Sequence, residues 1–440
     1  MPGPALGLIA FTLAASAAEP TIPHERFELD NGLDVILHVD TSLPQVVVNI
    51  WYEVGAKDER EGRTGFAHLF EHLMFMGTDR LPGSGFDDLM EARGGWNNAW
   101  TSEDATDYYD AGPAELLPTL LWMEADRMDG LARAMTDEKV NKQRDVVRNE
   151  RRQSYEDSPY GVMWLSLPTV MYPKGHPYAH TVIGSHTDLE AAALADVQEF
   201  FTTWYTPDNA SLVIAGDFDP DAIKPLVVQL FGGLARGSSP AHPSPKALSA
   251  PQAALIELED DVETAKTWMF WHSPAALQPG DADMDMLASI LGGGRASRLY
   301  TRLVVEEEVA TEVSAFQYSQ RLGSLFGMEL TPAEGVSLER LEAIAQEELT
   351  KLGAEGPTDD ELVRARNGYK YDFLASLESL HARASMLNRY NSLVGDSDFV
   401  ARDLNRYLSV DAAAVSAAAS GLTPDSRATL RVHPAPTEDK

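Results

Sequence analysis

The run Thr64-Gly65-Phe66-Ala67-His68-Leu69-Phe70-Glu71-His72-Leu73-Met74-Phe75-Met76-Gly77 constrains the fold of this chain more than any other stretch. Its apolar spacing predicts one short helix. Thr64 can cap the start, and Gly77 can take the left-handed conformation that ends it. Phe66, Leu69, Phe70, Leu73 and Met74 make one apolar face that must be buried. His68, Glu71, His72 and Phe75 fall on the opposite face. Two imidazoles at i and i+4 stack one above the other and can grip a single ion. Glu71 lies beside them, where a carboxylate can take a proton from a metal-activated water. With 11 His in 440 residues, this pattern arises by chance about 0.02 times in such a chain.

Composition narrows the chemistry. The net charge of −33 opposes a nucleic-acid partner, because phosphates are repelled. It suits solubility, attraction of basic peptides, or an acidic surface adapted to salt. The chain has no cysteine, which removes disulfides, thiol nucleophiles and thiolate metal sites. A metal must then be held by His, Asp or Glu. Residues 1–18 read as a signal peptide: Pro4 to Ala18 is apolar and small, and Ala15-Ser16-Ala17 is an A-x-A cleavage pattern. Its n-region lacks Lys and Arg. No other run approaches the roughly 20 apolar residues needed to span a bilayer. The expectation is an exported protein, periplasmic or secreted, with no membrane span.

Along the chain, Arg26 to Leu29 and Leu33 to His38 read as strands around an Asp30-Asn31-Gly32 turn, and Gln45 to Val54 as a central strand. Phe86 to Arg93 reads as a short helix and Ala99 to Tyr109 as a strand. Leu116 to Leu131, Asp137 to Asp157 and Leu189 to Tyr205 read as helices, and Ala210 to Gly216 as a closing strand. Residues 237–251, rich in Pro, Ser and Ala, form the linker. A similar series then restarts, with strands from Ala254 to Trp271 and from Thr311 to Leu330. Helices follow at Leu338 to Leu352 and within Asp360 to Val394. Thr206-Pro207-Asp208 recurs as Thr423-Pro424-Asp425, each after a helix and before a last strand. The expected fold class is α+β: two similar domains, 19–236 and 252–440, each a mostly antiparallel sheet packed with helices.

Catalytic zinc usually has three protein ligands. His176 and His180 share i, i+4 spacing, but Pro177 between them disfavours a helix. The helix Asp137 to Asp157 places Val140, Gln143, Val146, Val147, Glu150 and Ser154 on one face. Glu150 is the carboxylate on that inward side, with Glu156 the alternative.

Gly65 to Thr78 resembles the inverted-motif (H-x-x-E-H) zinc peptidase family of pitrilysin, insulin-degrading enzyme and mitochondrial processing peptidase. Gly94-Gly95-Trp96-Asn97-Asn98-Ala99-Trp100-Thr101 resembles the family's substrate-edge strand. Arg144-Asp145-Val146-Val147-Arg148-Asn149-Glu150 resembles the segment carrying the third ligand, and Leu291 to Tyr300 the opening of a second-domain helix. The resemblance implies one zinc held by His68, His72 and Glu150, with Glu71 as general base. It implies that Asn98 and Ala99 lie on an edge strand where a peptide adds through main-chain hydrogen bonds.

Two positions depart from the family. Members often carry a Glu seven residues before the ligand Glu; here it is Gln143, expected beside the metal as a neutral neighbour of its ligands. Members with a complete site carry an Arg and a Tyr, seven residues apart, that hold the substrate carbonyl. Counting from Ser297-Arg298-Leu299, those positions are Val304 and Thr311. The expectation is therefore a zinc-dependent endopeptidase subunit in a heterodimer, rather than a homodimer, with a homologous two-domain chain supplying the Arg and Tyr. The alternative is a non-catalytic scaffold or assembly subunit of the same family.

Overall fold

The computed structural model describes residues 19–238, 241–244, 248 and 250–436. The leader read at residues 1–18 and part of the linker lie outside them. The first half contributes β1 (Glu25–Glu28), β2 (Asp34–Val39), β3 (Gln45–Tyr52), α1 (Phe66–Leu73), α2 (Gly85–Glu91), β4 (Trp96–Thr101) and β5 (Thr106–Pro113). It continues with α3 (Leu117–Ala134), α4 (Asp137–Arg151), α5 (Gly161–Met171), α6 (His186–Glu190), α7 (Leu194–Trp204), β6 (Ala210–Gly216) and α8 (Pro220–Phe231). The second half contributes β7 (Leu255–Asp260), β8 (Lys266–Ser273), α9 (Asp281–Gly292), β9 (Ala310–Tyr318) and β10 (Ser324–Pro332). Then come α10 (Leu338–Glu355), α11 (Asp359–Ser376), α12 (Leu380–Val394), α13 (Val400–Leu408), α14 (Ala412–Gly421) and β11 (Ala428–Pro434).

The two sheets share one plan. The first has six strands in the order β1-β2-β6-β3-β5-β4, and the second has five in the order β7-β11-β8-β10-β9. The last strand of each half inserts in parallel beside an early strand, β6 beside β2 and β11 beside β7, and every other pairing is antiparallel. The strands that follow the repeated Thr-Pro-Asp segments are these inserted strands.

Local readings needed correction in three places. The stretch Ala99 to Tyr109 is a hairpin, β4 and β5, turning at Ser102–Ala105. The helix expected from Leu189 to Tyr205 is two helices, α6 and α7, separated at Ala191–Ala193. The helix expected to run to Asp157 leaves α geometry at Arg151 and widens into a π turn over Arg152–Glu156.

Each sheet buries one face against helices of its own half. The opposite faces are covered reciprocally. Ile36, Val47, Val213 and Ala215 of the first sheet meet Ala384 and Leu387 of α12. Trp268, Phe270, Leu430 and Val432 of the second sheet meet Met163, Leu167, Val170 and Met171 of α5. Buried apolar area removed from water drives both contacts. A polar pin accompanies one of them: buried Asn388 of α12 donates to the Asn49 carbonyl (3.1 Å) and to Asn49 Oδ1 (2.6 Å).

Candidate metal centre

Helix α1 buries Phe66, Leu69, Phe70 and Leu73 in the first core, and Met74 just past its end joins them. Its start differs from the sequence expectation. Gly65, at φ 87°, holds the N-cap position, and Thr64 gives no side-chain cap. The Thr64 hydroxyl instead donates to Asp188 (2.5 Å) and accepts from the Ser185 amide (3.1 Å). The cap is the Glu59 carboxylate, which accepts from the Gly65 amide (2.9 Å) and the Ala67 amide (2.7 Å). Its oxygens satisfy amides that the first turn of a helix leaves without backbone partners. Burial pushes the Glu59 carboxyl well up, and the amides oppose it. Gly77 takes the left-handed conformation (φ 73°), after the chain has already left the helix.

His68, His72 and Glu150 come together, although 78 residues of sequence separate the last two by register on α1 and α4. The two Nε2 atoms are 3.3 Å apart. Glu150 Oε2 is 3.2 Å from His72 Nε2, and Oε1 is 3.6 Å from His68 Nε2. Ligand atoms about 2.0–2.2 Å from a tetrahedral zinc stand roughly 3.3–3.6 Å from one another, the edge of the tetrahedron. The donor set, two imidazoles and a carboxylate, fits that ion. Burial pushes the His68 imidazole down to about 4, opposed by Glu150, so this nitrogen is neutral at pH 7. The hydrogen bond with His72 holds the Glu150 carboxyl below the usual carboxylate range. Glu156, the alternative carboxylate, pairs instead with Arg151 and His186.

Glu71 faces the same space without joining the ligand group. Burial pushes its carboxyl up, and the Thr101 hydroxyl, donating to Oε2 at 2.6 Å, opposes that rise. His68, Glu71, Thr101 and Glu150 line a cleft of about 870 Å³. Its near wall includes Ala99 and Thr101 of β4, and its far wall Phe316, Tyr318, Gln320 and Leu325 of the second domain. Strand β4 ends the sheet, so its outer edge pairs with no strand among the described residues. Ala99 faces the cleft; Asn98 is the next residue on that edge, and its Oδ1 accepts from the Ala99 amide (2.9 Å).

Other expected neighbours lie elsewhere. The Gln143 amide turns to the Met76 sulfur, and among the described residues it makes no hydrogen bond to His68, His72 or Glu150. Val146, placed on the inward face of α4 from sequence, is exposed. Val304 packs against the second core, and the Thr311 hydroxyl faces the Thr331 carbonyl; neither lines the cleft. Sequence reasoning missed Glu59 and Thr101 as supports of the site. Both lie outside the five-residue motif and act through contacts that no periodicity encodes.

Residues 34–181 match the model for insulinase (peptidase family M16), and residues 192–369 match that for the peptidase M16 inactive domain. The chain is 29% identical over 403 residues to a Helicobacter pylori protein named zinc protease PqqE, covering 89% of this chain and 90% of the relative. It is 25% identical over 407 residues to a probable mitochondrial-processing peptidase subunit beta of Arabidopsis thaliana, covering 89% of this chain and 75% of the relative. The crystal structure of a protease from Helicobacter pylori superposes with a TM-score of 0.86 at 25% identity, covering 94% of this chain and 100% of that one. With both family models matched in chain order over most of the chain, this chain belongs to peptidase family M16, the insulinase family.

Proposed function

We propose that the chain is the zinc-bearing subunit of an exported endopeptidase, periplasmic or secreted, that hydrolyses unfolded or short peptides. The observation that carries this reading is the convergence of one ligand atom each from His68, His72 and Glu150 within 4.8 Å of one another, with the two Nε2 atoms 3.3 Å apart. His68, His72 and Glu150 would hold a zinc that, once bound, would lower the pKa of a water and polarise a carbonyl. Glu71 accepts the proton of the attacking water and returns it to the leaving amine. Its raised proton affinity suits that exchange, and the Thr101 hydroxyl holds one carboxylate oxygen so that the other faces the reaction. The peptide lies extended along the open edge of β4, held at Asn98 and Ala99 through main-chain hydrogen bonds. An extended strand is available in unfolded or short peptides and unavailable in most folded ones.

What would hold the carbonyl oxygen opposite Glu71 is absent from Val304 and Thr311. A homologous two-domain chain supplies the Arg and Tyr and closes over the cleft. The relative named as a subunit supports an assembly of more than one chain. Two measurements test the reading. Glu71→Gln is expected to retain one zinc per chain by metal analysis while turnover falls about 10²–10⁴-fold, the contribution of a positioned general base. A Gln variant that still hydrolyses peptides at the wild-type rate removes Glu71 from that role. Peptide hydrolysis by the purified chain is expected to be weak alone and to rise on adding a similar chain that carries the Arg and Tyr. Full turnover by a homodimer ends the partner requirement.

A further inference from the structure

The turn joining β4 to β5, Ser102–Ala105, is clamped between the two domains. From the first domain, the Ala56 amide donates to the Ser102 carbonyl (3.1 Å), the Lys57 amide to the Glu103 carbonyl (2.9 Å) and Lys57 Nζ to the Asp104 carbonyl (2.7 Å). From the second domain, the Arg321 amide donates to Asp104 Oδ2 (2.8 Å). The Tyr178 hydroxyl donates to Asp104 Oδ1 and itself accepts from the Leu322 amide (3.0 Å). The Tyr318 hydroxyl donates to Glu103 Oε2 (3.0 Å).

The Asp104 side chain is not needed to form the turn. The Ser102 hydroxyl already accepts from the Asp104 and Ala105 amides, both at 3.1 Å. What the Asp104 carboxylate satisfies is the Arg321 amide directly and, by holding the Tyr178 hydroxyl, the Leu322 amide, both of which need partners once buried between the domains. The residue immediately before this turn is Thr101, whose hydroxyl fixes Glu71. With stiff peptide geometry between them, a shift of the turn displaces Thr101 as well.

We propose that Asp104 is a positioning residue through which the second domain, which carries no metal ligand, sets Thr101 against Glu71. The inference rests on Glu71 as the general base. It gives the second domain a role in catalysis within the same chain, through the geometry of the base rather than through contact with substrate. A misplacement of about 1 Å can lower a rate by as much as 10²-fold.

The test is a double-mutant cycle with a metal-free control, run in the assembly in which the wild-type chain turns over. Asp104→Asn keeps the shape and loses an acceptor; Tyr178→Phe removes the same link from the other side. Each is expected to lower kcat about 10-fold or more while KM and zinc content hold. In a Thr101→Val background each is expected to change kcat less than about twofold, because the link it feeds is gone. In metal-free protein, Asp104→Asn is expected to speed amide exchange across residues 99–106 and leave the central strands β3 and β8 unchanged. An unchanged kcat in both variants, additive effects with Thr101→Val, or unchanged exchange in the hairpin overturns the proposal. Glu71→Gln, measured alongside, separates the two readings. If it stays active the general-base assignment fails, and if it is dead while Asp104→Asn is silent only the present inference fails.

Discussion

The two sheets share a strand plan, yet among the described residues only the first half gathers a group that could hold a metal, and one helix in each half shows why. In the first half α1 stands between β3 and the β4–β5 hairpin; in the second, α9 stands between β8 and the β9–β10 hairpin. Both bury an apolar stripe against their own sheet, Phe66, Leu69, Phe70 and Leu73 in one, Leu287, Ile290 and Leu291 in the other. The difference lies on the other side of each helix. The polar groups of α1 face a cleft and meet Glu150 from α4. Those of α9 are covered: Asp281 pairs with Arg406 (2.8 Å) and Asp285 accepts from the Tyr407 hydroxyl (2.8 Å), both partners on α13. One architecture thus serves two ends. Where a further helix closes over the polar stripe the result is structure, and where the stripe is left open it is a site.

The strongest test of that contrast exchanges like for like. His72→Ala on α1 is expected to abolish the single zinc per chain by metal analysis, with the fold retained by circular dichroism. Asp285→Asn on α9 is expected to leave zinc binding intact and to cost about 1–3 kcal/mol of stability in denaturant unfolding, through its weakened bond to Tyr407. Zinc retained by the first variant, or lost in the second, would erase the distinction between the helices.

The reciprocal cover predicts that damage crosses between halves. Leu387→Ala on α12 truncates a fully buried side chain seated on the first sheet. It is expected to destabilise the protein by about 2–5 kcal/mol. The loss should appear in the first half, as faster amide exchange in β3 and β6, even though the substitution lies in the second. Exchange that quickens only in the second half would show that the domains fold independently.

The smallest expected effect concerns pH. Hydrogen bonds from Arg298 lower the Glu361 carboxyl from 4.5 to about 2, helped by the Thr358 amide at the start of α11. A folded value below the unfolded one means the contribution is present above about pH 4.5 and lost as pH falls toward 2. Glu361→Gln is expected to lower stability at pH 7 by about 1–2 kcal/mol. The gap to wild type should narrow on acidification. A gap that stays constant from pH 6 to pH 3 would assign the effect to packing.

Much of this protein was legible because its signals are local. The apolar stripe of α1 dictates which side is buried, so His68, Glu71 and His72 had to point away from the core. The repeated Thr-Pro-Asp segments precede equivalent strands because the same turn chemistry feeds the same sheet position. Local signals also failed in identifiable ways. Ser102-Glu103-Asp104-Ala105 carries no Gly or Pro, so the β4–β5 turn reads as a continuing strand. Helix α5 is largely apolar and shows little amphipathic period, because it bridges two structures instead of facing water.

Legible from the chain alone were the helix carrying the candidate ligands, its buried face, the ligand types available without cysteine, and the duplicated α+β plan. Those follow from residue identity and spacing within a few turns of chain. Tertiary structure brings Glu150, the carboxylate the sequence favoured, to the two histidines, and the π turn after Arg151 leaves Glu156 paired with Arg151 and His186. It also decided that Glu59 caps α1 in place of Thr64, and that Gln143 turns from the ligands to Met76. It set the Ser102–Ala105 turn against the second domain. These are contacts between segments distant in sequence, fixed by how sheets and helices pack, and no periodicity along the chain records them.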